Sequence, residues 1–318
     1  MRLIDMHCDT FWLMMRKKNV SLQKNDLSID IDKMKKVGSM AQFFASFIHM
    51  SEFNGENAVE EAYQYALEMI SYGNAELARC SDSIEIAHNY NELIANHDNG
   101  KMSAILTVEE GGILNDKMEY LEELYRQGIR LITLTWNHEN CIGFPNSREQ
   151  ELMRRGLKPF GIEVVKRMND LGMIIDVSHL SDGGFWDVIK HSTKPVVASH
   201  SNARVLCNHP RNLTDEMIKA LAETGCVAGV NFYPYFLHES GKATTEDIAE
   251  HLWHMYQVGG EDVVAFGTDF DGFDEGELDI THMGEMNLVY NAIKKRGFSE
   301  RQMDKILSGN ILRVLREM

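Results

Sequence analysis

An α/β fold, a (β/α)8 barrel of the TIM type with extra helices, is what this 318-residue chain predicts. Three observations carry the expectation. Eight short apolar runs alternate with stretches of helical spacing from one end of the chain to the other. No linker, low-complexity segment or repeat of about 20–50 residues interrupts that alternation. Side chains able to bind metals follow several of the runs, and in a parallel barrel those C-terminal strand ends open onto one face. With 44% hydrophobic and 25% charged residues, the composition suits one large core, and residues 1–318 read as a single domain.

The first run, residues 3–6, ends in His7-Cys8-Asp9. Alternate residues of a strand share a face, so His7 and Asp9 project together and Cys8 points away. Residues 39–48 read as a buried second strand followed by His49, which has no acidic or histidine neighbour to support it as a ligand. Val59, Ala62, Tyr63, Ala66, Leu67 and Ile70 give residues 57–79 a helical period, and residues 83–97 read as a further helix capped by Ser83. Together these exceed one barrel helix and supply the extra ones. The third strand, residues 103–108, runs into Glu109-Glu110-Gly111-Gly112. A carboxylate before two glycines suits close approach of the backbone to a ligand. Glu109 ends the strand directly and is favoured over Glu110.

A helix over 116–127 stops at Gly128, and residues 130–135 form strand four, ending in Trp136-Asn137-His138. The helix over 157–171 has Pro159 in its first turn and Gly172 past its end. Strands five (173–177) and six (195–198) are each followed by Ser-His, at Ser178-His179 and Ser199-His200, with a helix over 183–191 between them. Arg211 falls near the same rim. Thr214 caps a helix reaching 223. Strand seven (225–232) ends at Tyr233, and residues 244–258 are helical. Strand eight (263–267) leads into Thr268-Asp269, and helices near 284–295 and 299–315 close the chain.

His7, Asp9, Glu109, His179, His200 and Asp269 thus gather at one end of the sheet. Three imidazoles and two or three carboxylates exceed what one tetrahedral zinc needs and fit two ions with a carboxylate bridging them. A pair of cations acidifies bound water and provides a hydroxide nucleophile at neutral pH. Imidazole ligands favour zinc over magnesium or calcium, so two Zn2+ per chain are expected. Asp269, on the last strand, is the carboxylate left to shuttle protons.

Other classes are disfavoured. Forty-eight acidic against 32 basic residues leave a formal charge of −16, which repels a phosphate backbone. No apolar run approaches the ~18 residues of a membrane span, and the N-terminus has no secretory apolar region. The five scattered cysteines, without a CxxC, read as reduced thiols of a cytoplasmic protein. His191, His209, His238, His251, His254 and His282 lie away from strand ends and read as solvated or hydrogen-bonded, and Arg204 as a structural partner. The acidic run from Asp269 to Asp279 lacks the spacing and flanking helices of an EF-hand.

The stretches IDMHCDT, LTVEEGG, GIRLITLTWN, IIDVSHLSDGGFWDV, PVVASHSNARVLCNHPRNL, VAGVNFYP, VAFGTDFDG and GNILRVL resemble, in the same order, the renal (membrane) dipeptidase family of zinc peptidases. The resemblance implies a binuclear zinc site at the mouth of a barrel, hydrolysis of free dipeptides, and a homodimer. It makes His7 and Asp9 ligands of one zinc, His179 and His200 ligands of the other, and Glu109 the bridge, with Glu110 as the alternative. It makes Asp269 the acid/base, Arg211 the receiver of the substrate carboxylate and Tyr233 its neighbour. At one position the chain departs: where the renal enzyme has a histidine after LTLT, thought to steady the oxyanion, Trp136 stands, with His138 or Asn137 to substitute. Two rivals remain. Lactonases, phosphotriesterases and deaminase-like amidohydrolases often carry His-x-His on strand one and a modified lysine bridge, unlike His7-x-Asp9 and Glu109. A catalytically silent metal-binding protein would not need Asp269.

Overall fold

The computed structural model describes residues 2–17 and 19–318. Its strands are β1 Leu3–Asp5, β2 Ser39–Phe47, β3 Ile84–Ile86, β4 Met102–Glu109, β5 Ile129–Thr133, β6 Ile174–Asp176, β7 Val197–Ala198, β8 Val227–Val230, β9 Lys242–Ala243, β10 Val264–Phe266 and β11 Glu277–Leu278. Eight of them form a closed parallel barrel in the order β2-β1-β10-β8-β7-β6-β5-β4. The ring closes where β2 runs beside β4, from Ala41 opposite Ser103 to Phe47 opposite Glu109. The eight apolar runs of the sequence are these eight strands.

Each strand is buried on both sides, which is why the runs are almost continuously apolar. Ile4, Phe43, Ile105, Leu131, Ile174, Val197, Val227 and Ala265 pack together in one cluster inside the barrel. Their neighbours Leu3, Phe44, Leu106, Ile132, Ile175, Ala198, Ala228 and Val264 pack outward against the helices. This two-residue alternation around the ring is the pleat expressed as two concentric cores.

The helix expected over 83–97 is corrected. Ile84–Ile86 is a strand that adds to the outer edge of β4, Ile84 opposite Met102, and a helix follows only at Tyr90–Asp98. The side chain of Asn89 accepts from the Glu92 N–H and caps that helix, while the Ser83 hydroxyl is taken by Lys35 Nζ. Ile84-Glu85-Ile86 has strand alternation, and a three-residue strand is too short to stand out against the helical stretch after it. The last expected helix is also subdivided, into Glu300–Asp304, a π-helical turn Lys305–Gly309 and Asn310–Glu317. Thr10–Arg16 and Ile31–Lys36 are helices that the sequence reading leaves unassigned. Other boundaries follow their signals. Pro159–Leu171 ends at Gly172 with φ of 69°, and Thr214 caps Asp215–Glu223 by accepting from the Met217 N–H. Among the described residues no helix is long and apolar enough to cross a membrane.

The strand ends that carry the site approach closely. A Cβ at Gly229 or Gly267 would overlap the carbonyl oxygen of Ser199. Gly267→Ala is therefore expected to lower the unfolding free energy by about 1–3 kcal/mol, because a backbone oxygen must yield. Urea unfolding of the pure variant checks this, and an unchanged midpoint at unchanged slope refutes it.

Candidate active site

Glu109, the last residue of β4, is buried, and its two carboxylate oxygens face different partners. Oε2 lies 3.3 Å from His7 Nε2, which is 3.3 Å from Asp9 Oδ2. Oε1 lies 3.0 Å from His179 Nε2 and 3.4 Å from His200 Nε2, and these two ring nitrogens are 3.1 Å apart. The fold thus gathers His7 and Asp9 after β1, Glu109, His179 after β6 and His200 after β7. Asp269, after β10, joins them with Oδ1 3.7 Å from His7 Nε2.

These spacings fit bound metal better than they fit hydrogen bonds. With bonds of about 2.0–2.1 Å, the ligand atoms of a tetrahedral zinc sit roughly 3.3 Å apart. His7 Nε2 has that separation from both Asp9 Oδ2 and Glu109 Oε2, and His179, His200 and Glu109 Oε1 lie 3.0–3.4 Å from one another. His7 Nε2 and Asp9 Oδ1 are buried without a hydrogen-bond partner, a costly arrangement that a cation would relieve. The donor set of three imidazoles and carboxylates is one that suits zinc.

Local backbone aims these groups. His179 and Asp269 hold left-handed conformations, φ 66° and 62°. His179 Nδ1 faces Asn137 Oδ1 at 3.0 Å, so the proton sits on Nδ1 and the Nε2 lone pair turns into the site. Asn231 Nδ2 donates to Asp269 Oδ2 at 2.8 Å. Buried Asp5 holds the preceding turn by accepting from the Thr268 N–H and hydroxyl at 2.7 and 2.8 Å. Glu110, the alternative bridge, turns away from the cluster. Its Oε1 accepts from the Gly112 N–H and Asn140 Nδ2, and its Oε2 from the Trp136 N–H.

Among the protein groups alone, the electrostatics are uneven. Burial opposes a charged His7, but the Glu109 and Asp9 carboxylates outweigh it and hold its pKa well above the ordinary imidazole value. His179 and His200 are pushed well below that value by burial, with the charges of Arg211 and His7 adding to it. Burial raises Glu109 to about 7 and Asp269 to about 6, within reach of neutral-pH proton transfer.

The cluster floors a cavity of about 310 Å³. Trp12, Phe47, His49, Trp136 and Asn137 line one side, and Tyr233, Phe236, Phe273, Asp274 and Glu275 the other. Depressions of about 480 and 500 Å³ near Arg148 are larger but hold none of the five clustered residues, so chemistry rather than size selects the smaller cavity. Arg211 does not line the cavity; it is buried beside His200, with Nη1 on Ser201 Oγ, Nη2 on the His200 carbonyl and Nε unpartnered. His138 is exposed beyond Trp136 and is not among the lining residues; of the two proposed substitutes, the cavity takes Asn137. The sequence around His49 offers it no liganding neighbour, yet its ring lies 4.8 Å from Trp136 in the cavity wall. Only the pairing of β2 with β4, which sets Phe47 opposite Glu109, reveals that placement. Of the remaining histidines, buried His251 is hydrogen-bonded to the Ala203 N–H and the Leu237 carbonyl, and Arg204 forks onto Asp182.

The model of the family described as membrane dipeptidase, peptidase family M19, matches residues 1–318. An uncharacterised dipeptidase of Schizosaccharomyces pombe is 29% identical over 98% of this chain and 79% of its own length. A dipeptidase of Claviceps purpurea is 27% identical over 91% of this chain and 69% of its own. The crystal structure of dipeptidase AC, described as a metallopeptidase of family M19, superposes with a TM-score of 0.90 at 26% identity, covering 100% of this chain and 98% of that one. The chain belongs to the membrane dipeptidase family, peptidase family M19, and is a metallo-dipeptidase of that family.

Proposed function

We propose that the chain hydrolyses the peptide bond of free dipeptides at a binuclear zinc centre. The observation that carries this reading is the division of Glu109, one oxygen toward His7 and Asp9 and the other toward His179 and His200. Each set would hold one ion, with Glu109 bridging. Two such ions, when bound, polarise the scissile carbonyl and acidify the attacking water.

The remaining work belongs to the chain's own side chains. Asp269 takes a proton at Oδ1 and delivers it to the leaving amine, while Asn231 holds Oδ2 still. Arg211 attracts the substrate carboxylate; its unpartnered Nε and its buried charge support that role. Tyr233 and the aromatic walls shape the cavity and exclude water. Trp136 stands where the renal enzyme has an oxyanion-steadying histidine, with Asn137 and His49 as the polar groups beside it on the wall. Five unpaired thiols support a reducing, cytoplasmic setting, and the family supports a homodimer.

Measuring metal content and then screening a dipeptide library tests the proposal. Two zinc ions per chain and turnover confined to dipeptides are expected. Chelation should abolish the rate, and added zinc should restore it. Turnover of lactones or phosphotriesters instead would favour a different barrel hydrolase, and full metal without turnover a silent binding protein.

A further inference from the structure

We propose that Asp176 is a positioning residue that fixes the ring tautomer of His200 through the hydroxyl of Ser199. On the binuclear reading above, it thereby sets how strongly the His179–His200 half of the centre holds its ion. Asp176 ends β6 and is fully buried. Its Oδ1 accepts from the Ser178 and Ser199 N–H groups at 2.9 and 2.8 Å. Its Oδ2 accepts from the Thr133 and Ser199 hydroxyls at 2.7 and 2.6 Å. The ends of β5, β6 and β7 are thus tied to one carboxylate, and two of them carry His179 and His200.

Proton accounting gives the relay its direction. A serine hydroxyl has one proton. Ser199 uses it on Asp176, because a carboxylate can only accept. Toward His200 Nδ1, 2.6 Å away, the same oxygen then has only a lone pair to offer. Nδ1 must therefore carry the ring hydrogen, which leaves Nε2 bare and turned to Glu109. His200 has no exposed surface, so bulk water cannot supply another partner. Its main-chain N–H donates to Ser178 Oγ and its carbonyl accepts from Arg211, which locks the residue on both sides. His179, by contrast, is set by the neutral amide of Asn137.

The substitution Asp176→Asn keeps the shape but reverses the relay. The two main-chain N–H groups demand an acceptor, so the amide oxygen must take the place of Oδ1. Its NH2 then faces the two hydroxyls, and Ser199, now accepting, turns its own proton to His200 Nδ1. The ring hydrogen moves to Nε2, and binding a metal there must then bear the cost of returning it to Nδ1.

Nitrogen-15 NMR of the histidine rings, on metal-free full-length protein, is the first test. The wild type should show His200 protonated at Nδ1, Asp176→Asn should show it at Nε2, and His179 should stay protonated at Nδ1 in both. Zinc titration against a competing chelator is the second. Asp176→Asn should hold one ion as the wild type does and the other about 10–100-fold more weakly. Ser199→Ala, which leaves the other three bonds to Asp176 but strips His200 Nδ1 of its partner, should weaken the same ion and leave the other at its wild-type affinity. An Nε2-protonated His200 in the wild type, or wild-type zinc affinities in both variants, overturns the proposal. An Nδ1-protonated His200 in a wild type that takes up no second ion upholds the relay and overturns the binuclear reading instead.

Discussion

Asp269→Asn is expected to leave two zinc ions per chain in place and to lower kcat by about 10²–10⁴-fold, the usual contribution of a positioned acid/base group. The substitution is gentle on the fold. Residue 269 has φ of 62°, a region asparagine tolerates as readily as aspartate, and the amide oxygen can replace Oδ2 as acceptor for Asn231. What disappears is the basicity of the other oxygen, in a group that burial has raised to about 6. Because the loss falls on proton transfer, kcat and kcat/KM should drop together. Metal analysis alongside steady-state kinetics decides the matter: near-normal turnover at full metal content removes Asp269 from the mechanism.

Glu109→Ala is expected to do more, since one carboxylate serves both halves of the site. Metal content should fall from two ions to below one per chain, and kcat/KM by about 10³-fold or more, as several kcal/mol of electrostatic stabilisation are lost. The metal-free variant should remain folded, because deleting a buried carboxylate raised to about 7 removes a desolvation cost along with a partner for His7. Glu110→Ala has the opposite signature. It strips acceptors from the Gly112 and Trp136 N–H groups and from Asn140, so stability should fall by about 1–3 kcal/mol while both ions stay bound. Metal analysis and urea unfolding of the two variants, side by side, separate the roles. Two ions retained in Glu109→Ala would eliminate it as the bridge.

The barrel was legible because strands buried on both faces leave nearly continuous apolar runs, and eight such runs recur along the chain. β3 was not, because Ile84–Ile86 is too short to compete with the helical stretch that follows. His7, Asp9, His179, His200 and Asp269 could be named because each follows an apolar run within a few residues. Glu109 and Glu110 are adjacent, and which one faces inward depends on the turn after β4, where Glu110 takes φ of 108°. His49 illustrates the other blind spot. Nothing in the sequence near it hints at chemistry, and its neighbour Trp136 arrives through pairing of strands far apart in the chain.

Left-handed backbone at Glu110, His179, Asp269 and Asp271 concentrates on one rim of the barrel. Such conformations cost of order 1–3 kcal/mol each in residues with bulky side chains. On the binuclear reading, His179→Gly would relieve that strain and remove a zinc ligand in the same step. Durability and catalysis therefore pull against each other at the same few positions, and selection for a hardier relative should erode this edge before it touches the hydrophobic interior.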